Sequence, residues 1–300
     1  MPRSLCQITD FTTDEIKHVF DLCRRMKVGE ISPKPFDGKS VACIFTKESL
    51  RTRVSFEVGI NQLGGHPIYI TDKEIKLGQR ESVADAARVL SRYVATIMIR
   101  TYAQSDVEGL AKYASVPVVN GLTDLVHPCQ ILGDFFTAIE HLGSRDKYTI
   151  AYVGDGNNIT NSWLNLAARL PLNIRVGTDG DCQPDPNLVK VAQSNPDSSV
   201  LITDDPKEAV SGADVVYTDV WASMGQKHLA EEKERKLKKF QINSTLLEVA
   251  GPEAIVMHCL PAERGKEITD EVMDGPQSVV FDEAENRLHI QKAIMAFLLE

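Results

Sequence analysis

The stretch from Phe45 to Gly59, "FTKESLRTRVSFEVG", sets Ser49, Arg51, Thr52 and Arg53 at the opening of an apolar helical pattern. A helix start needs a capping hydroxyl, which Ser49 or Thr52 supplies. It has no use for two guanidinium groups, because cations belong at the other end of the helix dipole. An anion accounts for both. Unpaired backbone N–H groups, a partial positive charge, two hydroxyls and the forked donor of Arg51 suit phosphate oxygens. The plain alternative is a capped helix with surface arginines, and Arg53 is read in that way, as a structural ion-pair partner. Arg100, closing the apolar run "ATIMIR", would bring a second guanidinium to the same edge. His127 and Gln130 stand three apart in "HPCQ" at another helix start, so both can aim at one spot. Taken singly, a strand-end arginine or a helix-start histidine carries little weight.

These residues need elements to hold them, and the chain supplies an alternating series. "KSVACIF", "HPIYI", "ATIMIR" and "VPVVNG" read as strands. Between them, Phe56, Ile60 and Leu63 recur at helical spacing, and "ESVADAARVLSRY" and "DVEGLAKYA" read as helices. A long helix from about Pro128 to His141 carries Ile131, Phe135, Ile139 and Leu142 on one face. A second series follows the loop "GSRDK": "YTIAYVG", "NSWLNLAARL", "NIRVGT", "NLVKVAQ", "SVLITD", "ADVVYTD" and "AIVMHCL". The pattern predicts an α/β fold of two domains, each a parallel β-sheet flanked by helices, linked by interdomain helices. The expected division is 1–144, with a C-terminal helix 286–300 (apolar Ile290, Ile294, Phe297 and Leu298) packing back on it, and 145–285. The charge-dense segment "QKHLAEEKERKLKKF" reads as a solvated, mobile surface element. In parallel sheets ligands bind at the carboxyl ends of strands, which is where the residues above fall, together with Asp155–Asn158, Asp219–Gly225, His258–Pro261 and Arg287.

Composition narrows the classes. The 42 acidic residues outnumber 33 basic ones, for a net charge of −9, so nucleic-acid affinity is not expected and an anion site must be locally basic. The six cysteines have no paired metal-type spacing and read as reduced thiols of a cytoplasmic protein. No apolar run reaches membrane-spanning length, and "MPRSLCQITDF" lacks a signal-peptide core. Gly154 and Gly156 after a strand, with Asp179 further on, open a rival reading as a dinucleotide-binding oxidoreductase. Ile159 at the third glycine position counts against it, and the arginine cluster would go unexplained.

Taken in order, "SLRTR", "HPCQ", "DGNN", "DVWASMG", "HCLP" and "ENR" resemble the motifs of the transcarbamylases, most closely the ornithine carbamoyltransferases, over essentially the whole chain. One departure is Leu50, where the family's first motif usually has threonine. That position mainly lends its backbone N–H, but some relatives acting on acylated ornithine also carry leucine, so acceptor identity is touched. The resemblance implies a carbamoyl phosphate site in which Ser49, Leu50, Arg51 and Thr52 hold the phosphate. Arg100 would bridge phosphate and carbonyl oxygen, with Thr52 and His127 polarising that oxygen. Gln130 and the backbone carbonyls around Cys259 and Leu260 would accept from the carbamoyl NH2, and Arg287 would add charge near the carbonyl. Lys76 falls where family members reach into a neighbouring subunit's site; its plain reading is an exposed loop lysine.

For the acceptor, the resemblance matches Asn158 to the amino-acid head. Asp219 would accept from the α-ammonium, and Ser223 and Met224 would close over the head. The Ser-Met-Gly element favours free ornithine over aspartate, putrescine or acylated ornithine. Cys259 would position groups near Asp219 and is not read as a covalent nucleophile. The implied reaction is carbamoyl transfer to the ornithine δ-amine, giving citrulline and phosphate in arginine metabolism. It calls for no metal or organic cofactor, and the implied assembly is a homotrimer or a multiple of one. Nucleic acid and membrane are not expected partners.

Overall fold

In a computed structural model, residues 2–222 and 228–300 are described, and they fall into two compact units, 1–133 with 287–300, and 134–286. The first unit contains α1 (Thr13–Lys27), β1 (Ser40–Phe45), α2 (Leu50–Gln62), β2 (His66–Thr71), α3 (Asp72–Ile75), α4 (Val83–Leu90), β3 (Thr96–Arg100), α5 (Gln104–Tyr113) and β4 (Val118–Leu122). Its four strands are all parallel, in the order β2-β1-β3-β4. Helix α6 (Pro128–Leu142) runs from the first unit into the second.

The second unit contains β5 (Tyr148–Val153), α7 (Asn158–Ala167), β6 (Leu172–Gly177), α8 (Pro186–Gln193), β7 (Ser199–Thr203), α9 (Pro206–Val210), β8 (Val215–Thr218), α10 (Ala230–Leu237), α11 (Ser244–Ala250), β9 (Ile255–His258) and α12 (Asp270–Met273). Its five parallel strands run β7-β6-β5-β8-β9. Helix α13 (Val280–Phe297) ends the chain. The strand order turns back on either side of β1 and β5, and the loops at those carboxyl ends carry "TKESLRTR" and "GDGNN".

The sequence dictates this layering directly. In β1, β3 and β4 nearly every residue is buried, as expected of strands covered on both faces, so they read as unbroken apolar runs. Ala42, Ile44, Ile97, Ile99, Val107, Leu110 and Val118 share one core cluster. In the second unit Ala151, Val153, Val216 and Val256 pack with Leu237, Phe240 and Leu247.

One expectation is corrected. The charged segment before Phe240 is docked rather than fully solvated: Leu237 and Phe240 are entirely buried, and Lys233 pairs with the buried Asp155 at 2.6 Å. Charge density misled because the helix period puts those residues on one face while the remaining charges point outward. Gln226 and Lys227, at the start of that segment, lie outside the described residues. Among the described residues, no helix is long and apolar enough to cross a membrane.

Candidate active site

Ser49 caps α2: its hydroxyl accepts from the Thr52 N–H at 3.2 Å and is hydrogen-bonded to the Thr52 hydroxyl at 3.1 Å. The Thr52 hydroxyl is fully buried, and two guanidiniums converge on it, Arg100 Nη1 at 3.3 Å and Arg287 Nη2 at 2.9 Å. Arg100 ends β3, and Arg287 lies on α13. The helix that bears Arg287 comes close because Gly133 has no side chain. A Cβ there would lie 3.1 Å from Ile290 Cγ2 and 3.7 Å from the Arg287 backbone. Arg51 is half-buried on the first turn of α2, and Leu50 beside it turns a largely exposed side chain outward. Arg53 pairs with Glu57 at 2.9 Å and lies over the Tyr69 ring at 3.7 Å, away from this cluster.

His127 and Gln130, at the head of α6, are both buried. Burial, then the charges of Arg287, Arg100 and Lys47, holds the imidazole well below its ordinary value. His127 is therefore a neutral ring in a cationic setting, able to donate an N–H without adding charge. Lys47 escaped the sequence reading. It is buried beside the Tyr102 ring and paired with Asp124 at 2.9 Å, and in the sequence nothing separates it from a surface lysine. Lys76 is exposed and ends α3 in a left-handed backbone conformation (φ 39°). This first cluster is cationic and rich in donors, with a helix N-terminus at its edge, an arrangement that suits an anion such as phosphate.

The second unit holds a different cluster. Asp219, just beyond β8, is buried, and three donors fix it: Asn157 Nδ2 at 2.8 Å, the Val220 N–H at 2.8 Å and Cys259 Sγ at 3.1 Å. Among the described residues these occupy three of the roughly four acceptor positions of a carboxylate, which leaves one on Oδ2 for a further donor such as an ammonium. Asn157 caps α7 through the Ile159 N–H, and Asn158 follows it as the first helical residue. The sequence reading included Asn157 among the strand-end candidates but gave a role only to Asn158; the contact that shows what Asn157 does spans 62 residues of chain. Ser223 and Met224 lie outside the described residues.

Burial and the Asp219 charge push the Cys259 thiol well above its ordinary value, so it stays protonated and donates to the carboxylate. Leu260 adopts φ 56°, a strained conformation for a branched side chain, and its N–H is held by His258 Nδ1 at 2.9 Å. With Nδ1 accepting, the other ring nitrogen of His258 donates to Glu267 at 3.1 Å. The ligating atoms of Asp219, His258 and Cys259 lie within 4.8 Å of one another, and all three already make hydrogen bonds: both ring nitrogens of His258 to the Leu260 N–H and Glu267, and Cys259 Sγ to Asp219.

Gly156 is accounted for without a dinucleotide. A Cβ there would lie 2.3 Å from Pro184 N and 2.5 Å from the Cys182 carbonyl, so backbone packing alone demands glycine.

Residues 3–140 match the model of the aspartate/ornithine carbamoyltransferase carbamoyl-P binding domain, and residues 146–298 match that of the Asp/Orn binding domain. An ornithine carbamoyltransferase of Syntrophus aciditrophicus is 49% identical, with all of both chains covered. The chloroplastic ornithine carbamoyltransferase of Pisum sativum is also 49% identical, over 99% of this chain and 80% of its own. The ornithine carbamoyltransferase structure from Pyrococcus furiosus superposes with a TM-score of 0.94 at 45% identity, covering 99% of this chain and 96% of that one. A cationic cradle at the head of α2, a carboxylate held beyond β8 and likeness over the full length lead to one statement: the chain belongs to the aspartate/ornithine carbamoyltransferase family.

Proposed function

We infer that this chain transfers the carbamoyl group of carbamoyl phosphate to the δ-amine of L-ornithine, giving L-citrulline and phosphate. The observation that carries the reading is the convergence of Arg100 and Arg287 on the buried Thr52 hydroxyl at the N-terminus of α2. Full-length relatives named for this activity support it. In this reading residues 1–144 with 286–300 form the carbamoyl phosphate domain, and 145–285 the ornithine domain.

Ser49, Arg51, Thr52 and the Leu50 N–H take the phosphate. Arg100, His127 and Thr52 face the carbonyl oxygen, Arg287 adds charge there, and Gln130 with the carbonyls of Cys259 and Leu260 orients the carbamoyl NH2. Asp219, held by Asn157 and Cys259, takes the α-ammonium of ornithine, with Asn158, Ser223 and Met224 about the amino-acid head. An alkyl ammonium of pKa about 10 cannot attack, so the neutral amine reacts and turnover climbs with pH. Attack puts charge on the carbonyl oxygen, where each preorganised donor is typically worth about 3 kcal/mol. Phosphate leaves with its charge stabilised by Arg51 and Arg100.

Leu50, Val54 and Val58 form an exposed apolar stripe at i, i+4 and i+8 on α2, with the exposed Ile68 on β2. That stripe supports assembly as a homotrimer or a multiple of one, with Lys76 serving the neighbouring subunit's site. The protein belongs in the cytoplasm, in arginine biosynthesis. The test is a ureido-product assay with carbamoyl phosphate and four acceptors: ornithine, N-acetylornithine, putrescine and aspartate. Ornithine is expected to lead by at least tenfold. Preference for acetylornithine would assign Leu50 a selective role and overturn the acceptor.

A further inference from the structure

Beneath the acceptor-side cluster lies a group of buried acids that the reaction does not use. Tyr217, on β8 two residues before Asp219, places its hydroxyl 2.8 Å from Asp134 Oδ2 and 3.1 Å from Glu283 Oε1. The other oxygen of Glu283 accepts the His258 backbone N–H at 2.8 Å. Tyr217, Asp134, Glu283 and His258 are all fully buried. Tyr217 stacks on Tyr152 at 5.9 Å, and Thr218 pairs with His258 across β8 and β9, so the two strand ends rest on one polar knot.

The two Tyr217 contacts need two hydrogens. A phenol owns one, and two carboxyl groups press on its oxygen. If Tyr217 donates to Asp134, then the contact with Glu283 needs a hydrogen from Glu283. Burial and the Asp134 charge raise the Glu283 carboxyl well above its ordinary range, and burial keeps the Tyr217 phenol neutral.

We propose that Glu283 is a positioning residue held as a neutral carboxylic acid. It donates through Oε1 to Tyr217 and accepts at Oε2 from the His258 N–H. It thereby locks the ends of β8 and β9 that bear Asp219 and Cys259. Asp134 Oδ2 accepts the Tyr217 O–H. The proposal rests on Asp219 and Cys259 serving the amine acceptor, and the infrared arm below tests the proton independently of that.

Glutamine copies the neutral acid: its NH2 can donate to Tyr217 and its carbonyl can accept from His258. Glu283→Gln should keep kcat and the ornithine KM within threefold of the parent. Glu283→Ala should raise the ornithine KM tenfold or more while the carbamoyl phosphate KM stays within twofold. The infrared spectrum of the parent, without substrate, should show a carboxylic-acid C=O stretch at neutral pH that Glu283→Gln lacks. A glutamine variant as impaired as the alanine one, equal losses for both substrates, or no such band in the parent would each overturn the proposal. Should Glu283→Ala fail to fold, the band and the glutamine variant decide it. A parent that makes no citrulline would overturn the acceptor reading, and the band would still judge the proton.

Discussion

Arg287 Nη2 donates to Thr52 Oγ1 at 2.9 Å, across 235 residues of chain. The last helix thereby closes on the first turn of α2, and a hydroxyl that Ser49 also holds is fixed by both guanidiniums. Arg287→Ala and Arg100→Ala should each lower kcat by about 10²- to 10³-fold, the typical loss for one preorganised donor. Far-UV dichroism should be unchanged. Lysine should restore little, since a point charge does not replace the fork.

His127 gives a pH prediction. Its folded pKa lies well below the ordinary 6.5, so the unfolded chain binds a proton that the folded chain refuses. Stability contributed by the neutral ring is therefore present above about pH 6.5 and is lost as pH falls below it. Urea midpoints of the parent should drop between pH 7.5 and 5.5 by more than those of His127→Asn. The kcat profile above pH 6.5 should show no limb from His127 and should rise with the substrate amine.

Asn157 holds Asp219 at 2.8 Å, so the two should act on the same substrate. Asp219→Ala should raise the ornithine KM by at least tenfold, and Asn157→Ala by a smaller factor. The carbamoyl phosphate KM should hold within twofold in both. Equal damage to both substrates in steady-state kinetics would contradict the division of labour.

The apolar stripe of α2 gives an assembly prediction. Val54→Glu with Val58→Glu should lower the mass measured by light scattering from a trimer, or a multiple of one, to the single chain. An unchanged mass would place the interface elsewhere.

Much of this was legible from local pattern. Strands buried on both faces read as continuous apolar runs, so Val41–Phe45 and Thr96–Arg100 could be seen, and with them the strand ends where Arg100 and Asp219 fall. What escaped depends on contacts far along the chain. Lys47 is buried against Asp124, and Lys233 turns inward to Asp155. None of these partners lies within a helical turn or a strand pair of its mate. Local periodicity therefore carries no trace of them, and charge alone suggested solvent.

The most direct test of the account follows the carbon. With carbamoyl phosphate labelled at its carbonyl carbon and L-ornithine, the protein should yield labelled citrulline and phosphate in equal amounts, and Arg100→Ala should suppress both together. Phosphate released without labelled citrulline, or Arg100→Ala turning over at the parental rate, would contradict it.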